Sequence, residues 1–130
     1  MISELFAILS TPDLERALGF YGDILGGRVS YAFPGDDGSP TYVGMEIGRS
    51  HLGIGRAPGT GSPSGPRPMS LWLYTDHCDA LVERIRASGA TVIEEPTDQP
   101  WGERVARVRD PDGNDVLIGQ RRPELGQETA

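Results

Sequence analysis

The sequence contains a single cysteine, Cys78, and no lysine, so each of its 12 basic residues is an arginine. One cysteine excludes an internal disulfide, which is typical of a reducing compartment, and we expect a cytoplasmic protein. No apolar run approaches the ~20 residues that span a bilayer, and no basic-then-apolar leader opens the sequence, so we expect no membrane partner. With 19 acidic residues the net charge is −7, which repels phosphate backbones and argues against nucleic-acid binding.

Glycine and proline, in contrast, are abundant, with 18 and 11 copies. They are concentrated in residues 57–68, and this stretch predicts a linker because its composition cannot bury a core. A length of 130 residues suits one domain of ordinary size. We therefore expect a single domain, 1–130, made of a segment over about 2–56, the linker, a segment over about 69–120 and a polar tail, 121–130.

The first segment opens with a predicted strand at Ile2–Leu9. The stretch Thr11–Asp13 is typical of a helix start, with the Thr hydroxyl at the N-cap and Pro at the first helical position. Apolar residues at helical spacing predict a helix up to Leu25, and Gly26 would end it. Turn-forming residues then separate three short predicted strands: Arg28–Phe33, Thr41–Ile47 and His51–Arg56.

The second segment repeats this order. A strand is predicted at Met69–Tyr74, followed by a helix that Asp76 would cap, that carries Ile85 on its apolar side and that Gly89 would end. Three further predicted strands follow: Thr91–Glu95, Arg104–Arg109 and Asp115–Gln120. Because each half has about 60 residues and buries little surface alone, we expect two strand–helix–three-strand modules that pack together.

Several strands alternate between two kinds of residue, so each strand has two distinct faces. One face is aliphatic and suits packing beneath a helix, as Val43 and Met45 illustrate. The other mixes aromatic, small and polar residues, as in Tyr42, Gly44 and Glu46. Such a face suits the lining of a concave site, because glycines leave room and aromatic rings supply flat surfaces. A wet outer face is the alternative for any one strand, but repetition over four strands favours a pocket.

Two stretches of the sequence resemble a known family. The helix Asp13–Gly26 is similar to the first-helix signature of the vicinal oxygen chelate superfamily, and Trp101–Arg104 followed by Asp110–Asn114 is similar to its closing hairpin. The resemblance covers about residues 2–120. That superfamily includes glyoxalase I, extradiol dioxygenases, fosfomycin-resistance enzymes and bleomycin-resistance proteins. The resemblance implies an α+β fold of two βαβββ modules, whose curved mixed sheets surround a cleft with the helices outside, and a cavity commonly completed by a homodimer.

Metal-dependent members of this superfamily hold a divalent ion with His, Gln or Glu at four strand positions. In this sequence the resemblance places those positions at Phe6, Gly53, Ser70 and Leu117, with Met69 in place of Ser70 if the register slips by one residue. None of these side chains is a normal metal ligand, and a lone Ser is a poor one. The resemblance therefore implies no metal and no other cofactor, as in the bleomycin-resistance-like branch that sequesters a natural product.

The candidate ligand-binding residues are those that fall on the mixed strand faces or in the loop before the closing hairpin. They are Phe6, Tyr31, Phe33, Tyr42, Glu46, His51, Ser70, Trp72, Tyr74, Trp101, Arg107, Asp115 and Leu117. We expect Trp72, Trp101 or Tyr42 to stack on a ligand, and His51, Asp115 and Arg107 to orient it. Trp101 could instead close a sheet edge. His77 is expected in solvent and Cys78 in the core.

The predicted function is non-catalytic binding and sequestration of a toxic, largely aromatic natural product, as in antibiotic resistance. The predicted partner is an antibiotic-like small molecule, and no catalytic or metal-binding residue is assigned. The alternative is a metal-independent isomerase, lyase or oxygenase that acts on a similar compound, with His51 or Glu46 as its base. A Glu46–His51 metal pair would break the family's spacing. A sensor or structural module that recognises a protein partner is a third possibility.

Overall fold

The structure is a computed structural model that describes residues 1, 6–57 and 69–121. The chain divides into two compact units, Met1–Ser62 and Pro63–Ala130. Most of the predicted linker, 58–68, lies outside the described residues, as do 2–5 at the predicted start of the first strand and 122–130 in the predicted tail.

The first unit holds a four-stranded mixed sheet. Its elements are β1 (Ala7–Thr11), α1 (Leu14–Leu18), a π-helical stretch (Gly19–Ile24), β2 (Arg28–Pro34), β3 (Pro40–Ile47) and β4 (Ser50–Arg56). The strand order is β1-β4-β3-β2, with β1 parallel to β4 and the other neighbours antiparallel. Within the described residues, strands and helix thus follow the order that the sequence predicts.

The second unit repeats the arrangement. Its elements are β5 (Ser70–Tyr74), α2 (Cys78–Ala87), β6 (Val92–Asp98), β7 (Glu103–Arg109) and β8 (Asp115–Arg121). The strand order is β5-β8-β7-β6, again with the first and last strands of the module parallel. The predicted α+β fold of two βαβββ modules is confirmed, and each helical segment packs on one face of its own sheet.

The buried face of each sheet is the aliphatic one, as the alternation predicts. In the first unit these residues are Val43, Met45, Leu52 and Ile54, and in the second they are Ala106, Val108, Val116 and Ile118. The helical segments cover them with Leu14, Phe20 and Tyr21, and with Val82 and Ile85. Because a fully buried aliphatic side chain contributes about 1.5–3 kcal/mol, these layers form the cores of the modules. Strand β5 departs from this pattern, since Leu71 and Leu73 are only partly buried.

The first helix differs from the prediction in its interior. Regular α-helix ends at Leu18, and the chain continues to Ile24 with the wider turns of a π-helix. The adjacent Phe20 and Tyr21 are both buried there, with their rings edge to face at 5.0 Å. Because a π-turn holds more residues than an α-turn, it can direct neighbouring side chains toward the same sheet. Gly26 ends the segment with a φ of 85°, as predicted.

Both helix starts also differ from the prediction. Asp13, rather than Thr11, is the N-cap of α1, and its carboxylate accepts a hydrogen bond from the Arg16 N–H at 3.1 Å. The start of α2 is not capped by Asp76. Its N-cap position is His77, whose side chain makes no capping bond, and the Cys78 N–H instead donates to Oε1 of Gln120 at 2.7 Å. This cap comes from β8, so local sequence could not reveal it.

Candidate ligand-binding site

The face of the second sheet opposite α2 carries one row of side chains that crosses all four strands. Trp72 on β5 lies opposite Leu117 on β8, Leu117 lies opposite Arg107 on β7, and Arg107 lies opposite Glu94 on β6. Paired residues in neighbouring strands project from the same face, so these four side chains share a surface. An indole therefore stands at one edge of this row and an ion pair at the other.

A cleft of about 420 Å³ opens on this face. Its volume falls in the range of small-molecule sites, which runs from about 300 to 1,000 Å³. The lining residues come from all four strands and from the loop between β6 and β7. They are Trp72, Glu94, Glu95, Thr97, Gln99, Trp101, Val105, Ala106, Arg107 and Leu117.

Four of the thirteen candidate residues meet in this cleft: Trp72, Trp101, Arg107 and Leu117. The polar residues of the lining, such as Glu94 and Gln99, were not among the candidates predicted from the sequence. Strand β6 runs to Asp98, three residues beyond the predicted end, and its pairing with β7 shifts register between Glu94 and Thr97. The run of polar residues before Trp101 was a sequence signal for them. An expectation that residues alternate strictly between the two faces of a strand does not capture it.

Trp72 packs against the backbone at a glycine. A Cβ atom added at Gly119 would lie 2.9 Å from the indole nitrogen of Trp72 and 3.2 Å from two carbons of its ring. Any side chain at position 119 would therefore displace the indole. The Trp72 side chain stays 41% exposed, so one part of it remains available to a ligand.

Trp101 lies in the tight loop between β6 and β7. Its indole N–H donates to Oε1 of Glu103 at 2.8 Å, and the other carboxylate oxygen of Glu103 accepts from the Tyr74 hydroxyl, also at 2.8 Å. The Arg121 guanidinium lies 3.7 Å from the centre of the Tyr74 ring. The hydrogen bond to Glu103 raises the pKa of Tyr74 above its usual value. Trp101 itself is 61% exposed and lines the cleft, so it offers a ring surface to a ligand.

The charged residues that line the cleft are all paired. Arg107 donates from Nε to Glu94 at 2.7 Å and from Nη1 to Asp115 at 3.3 Å, and Arg109 contacts the other oxygen of Asp115 at 3.2 Å. Glu95 is bound by Arg86. Asp115, which the sequence proposed as a ligand contact, is buried beneath these arginines with only 4% of its surface exposed. Its carboxylate is therefore engaged by two arginines.

The corresponding face of the first unit is more apolar. Tyr31 and Phe33 are each more than half exposed, and Phe6 nearly so. Tyr31 and Tyr42 meet edge to face with ring centres 5.9 Å apart. A Cβ atom at Gly53 would lie 2.9 Å from Cζ of Tyr42, so the expectation that glycines leave open room is wrong at this position. The tyrosine already fills the space.

Glu46 and His51 lie directly opposite each other on β3 and β4. Glu46 forms an ion pair with Arg28, which is its partner on β2, while His51 is exposed. A role for Glu46 as a base would have to break this ion pair. Neither residue lines the cleft of the second unit.

The four positions at which the resemblance places metal ligands do not fit a divalent ion. Gly53 is covered by Tyr42 and Ile8, Leu117 is aliphatic, and Phe6 has no ligand atom. Ser70 pairs with Asp115, whose carboxylate is occupied by two arginines. Among residues 6–57 and 69–121, no group of three or more His, Cys, Asp and Glu side chains is placed to hold a metal. The slipped alternative, Met69, is 72% exposed and precedes β5.

Two further residues stand where the sequence placed them. His77 is exposed. Cys78 is fully buried, and burial raises the pKa of its thiol, which makes it a poor nucleophile.

Residues 5–118 match the Glyoxalase/Bleomycin resistance protein/Dioxygenase superfamily. The chain belongs to this superfamily. The resemblance inferred from the helix signature and the closing hairpin is thereby confirmed. A superfamily with several chemistries does not by itself assign one of them to a member.

Similar proteins extend over almost the whole chain. The uncharacterized protein Mb0911c of Mycobacterium bovis is 27% identical over 128 residues, which cover 92% of this chain and 84% of that protein. The uncharacterized protein Rv0887c of Mycobacterium tuberculosis is also 27% identical, with 92% and 75% covered. These relatives share ancestry with the chain but carry no described activity.

Solved structures show the same fold. TioX from Micromonospora sp. ML1 matches with a TM-score of 0.73 at 24% identity, covering 92% of this chain and 98% of that one. The fosfomycin resistance protein FosX from Listeria monocytogenes, complexed with Mn(II) and 1S,2S-dihydroxypropylphosphonic acid, matches with a TM-score of 0.77 at 20% identity, covering 99% and 98%. At such identities these matches describe the fold alone. In the described part of this chain, no helix is long and apolar enough to cross a membrane.

Proposed function

We propose that this superfamily member binds a flat, largely aromatic natural product in the cleft of its second unit and leaves it chemically unchanged. The observation that carries the proposal is the pair of exposed indoles, Trp72 and Trp101, on the lining of one 420 Å³ cleft. Large aromatic side chains are normally covered by protein, so two of them at one concave site favour a ligand.

Stacking would supply most of the affinity. A well-placed aromatic pair contributes about 0.5–1.5 kcal/mol beyond the burial of its surface, and the cleft offers two indoles. The apolar floor at Leu117 and Val105 adds burial, while the amide of Gln99 and the hydroxyl of Thr97 are available for hydrogen bonds. This combination suits a polycyclic compound with a few polar substituents.

Because the charged residues of the lining are paired, the cleft favours the neutral part of a ligand. Glu94, Glu95 and Arg107 each have an ion-pair partner, so none of them presents an uncompensated charge. A loose preference for cations was expected from the net charge of −7. The pairing within the cleft supports the neutral ligand more strongly, because nearby charges dominate at short range.

The residues at the four positions where the resemblance places metal ligands favour sequestration over catalysis. Phe6, Gly53, Ser70 and Leu117 lack the donors that metal-dependent members use, and the exposed His51 lies outside the cleft. The superfamily includes resistance proteins by name, and FosX is described as one. A role in resistance to a toxic compound is therefore the proposal.

Calorimetric titration with DNA-damaging natural products, such as bleomycins, mitomycins and enediynes, tests the proposal. We expect at least one compound to bind with a micromolar or lower Kd and Trp72→Ala to weaken that binding. Tyr31→Ala, which removes an exposed ring from the other unit, is the matched control and should bind normally. No binding across the panel by a folded protein would contradict the proposal.

Mass analysis of the compound recovered after incubation separates binding from catalysis. An unchanged mass is the expected result. A changed mass would favour the alternative, a metal-independent isomerase, lyase or oxygenase, and would direct mutagenesis to His51 and Glu46.

The homodimer stays a prediction. Sedimentation equilibrium measures it directly, and we propose a particle of twice the 14.0 kDa chain mass. A mass of 14.0 kDa at all concentrations would contradict it.

A further inference from the structure

Glu103, the first residue of β7, uses both of its carboxylate oxygens at the rim of the cleft. Oε1 accepts from the Trp101 indole N–H and Oε2 accepts from the Tyr74 hydroxyl, each at 2.8 Å. Glu103 itself is absent from the lining of the cleft, whereas Trp101 is part of it. The residue thus touches a ring of the binding surface from outside.

We propose that Glu103 is a positioning residue that fixes the orientation of Trp101 and so sets the aromatic wall of the cleft. This inference rests on the proposed function, because it gives Glu103 a role at the same site. A ring that stacks on a ligand must be held in one orientation beforehand, since ordering it during binding reduces the affinity.

Packing alone does not hold the Trp101 ring. The side chain is 61% exposed, and it stands in a loop whose backbone is closed by a hydrogen bond from Gly102 N to Gln99 O at 3.0 Å. Gly102 has a φ of 99°, which completes the tight turn. These features fix the loop backbone and involve no atom of the indole. The hydrogen bond to a carboxylate, which is of the stronger charge-assisted kind, is the contact that fixes the ring.

Through its second hydrogen bond, Glu103 is also connected to Trp72, the other indole of the cleft. Tyr74 lies beside Trp72, with ring centres 6.0 Å apart, and Arg121 covers the Tyr74 ring. The Tyr74 hydroxyl carries its proton at neutral pH, as phenols do, and donates it to Glu103. One carboxylate therefore connects Trp101 directly and Trp72 through Tyr74.

The free full-length protein allows a direct test by proton–nitrogen NMR, because its two tryptophans give two indole N–H signals. Trp72→Phe assigns them. We expect Glu103→Ala to move the Trp101 signal upfield and to speed its exchange with water at least about tenfold. Glu103→Gln keeps one acceptor oxygen and should restore part of the protection.

Glu94→Ala is the matched control in this experiment, because it removes a carboxylate of the same cleft that pairs with Arg107 and not with the Trp101 indole. It should leave the Trp101 indole signal unchanged. An unchanged Trp101 signal in Glu103→Ala, with the fold intact by circular dichroism, would overturn the inference.

Binding of acridone, a flat neutral aromatic probe, distinguishes this inference from the proposed function. We expect Glu103→Ala to weaken acridone binding by about tenfold and Glu103→Gln to weaken it less. Equal binding by the variant and the natural chain would overturn the positioning role. If the NMR signal responds but neither acridone nor the natural products bind, Glu103 positions Trp101 as inferred and the proposed function fails.

Discussion

The open faces of the two sheets differ although the modules that carry them have the same order and strand pairing. Gly55 and Gly119 occupy equivalent places in the two sheets. Gly55 pairs with Ser10, next to the end of β1, and Gly119 pairs with Tyr74, at the end of β5. A Cβ at Gly55 would find Tyr42 at an ordinary 3.6 Å, whereas a Cβ at Gly119 would collide with Trp72. Equivalent backbone positions therefore support different surfaces, and the repeat specifies the scaffold but not the site.

The charged residues of the two open faces also differ. In the first unit the open face carries the exposed ion pair Arg28–Glu46, in which the arginine side chain is 78% exposed. In the second unit Asp115 is buried beneath Arg107 and Arg109 next to the cleft. Buried charges that are fully paired hold a fixed geometry, which is what a binding surface requires. The second unit therefore places a partly buried ion-pair network next to a cleft.

The largest expected difference between the two halves concerns these ion pairs. Asp115→Ala leaves Arg107 and Arg109 without their shared buried carboxylate. We expect the free energy of unfolding to fall by about 2 kcal/mol. This is less than for a fully buried pair, because both arginines are one-third exposed. Glu46→Ala should lose less than about 0.5 kcal/mol. Urea denaturation measures both. Equal losses would remove the distinction between the two networks.

The next difference concerns affinity. Trp72→Ala removes a ring of the cleft, and we expect about a tenfold loss of affinity for any compound found in the natural-product titration, equivalent to about 1.4 kcal/mol. Tyr31→Ala should change the affinity less than twofold, since its ring belongs to the other face. A comparable loss in both variants would show that the ligand also needs the first unit.

The equivalent glycines give a third and smaller difference. Gly119→Ala must displace the Trp72 indole, and we expect a destabilisation of about 1 kcal/mol together with weaker ligand binding. Gly55→Ala has room for its methyl group and should be neutral or stabilising by up to about 0.5 kcal/mol. Thermal unfolding and calorimetry report both effects. A harmless Gly119→Ala would mean that the indole can leave the glycine at little cost.

The smallest effect is expected in the ionisation of tyrosine. Glu103 raises the pKa of Tyr74 above 10.0, so the hydrogen bond stabilises the folded state fully below the unfolded pKa and is lost as the pH rises through the folded pKa. An alkaline titration of tyrosine absorbance should therefore lose a component that titrates above the ordinary tyrosine range in Tyr74→Phe. In Glu103→Ala that component should shift to lower pH. Tyr31→Phe, in the first unit, should leave it in place.

The order of the elements could be predicted because it depends on local signals. Glycines with positive φ at positions 26 and 89 end the helical segments, and apolar spacing marks the strands. The helix caps could not all be predicted, because the first N–H of α2 is satisfied by Gln120, which is distant in the sequence. The same limit applies to the cleft. Glu94 and Gln99 reach it only because β6 is longer than predicted and shifts register against β7.

The sequence by itself determined the two βαβββ modules and the aliphatic faces that form the cores, because residue type and spacing decide both locally, and its two motifs indicated the superfamily. Only the tertiary structure decided that the second sheet carries a cleft, that tyrosine fills the space at Gly53, and that Glu103 joins Trp101 to Tyr74. These features arise from side chains that meet across strands, and such contacts depend on pairing register and on the size of the opposing residue, which no single stretch of sequence contains.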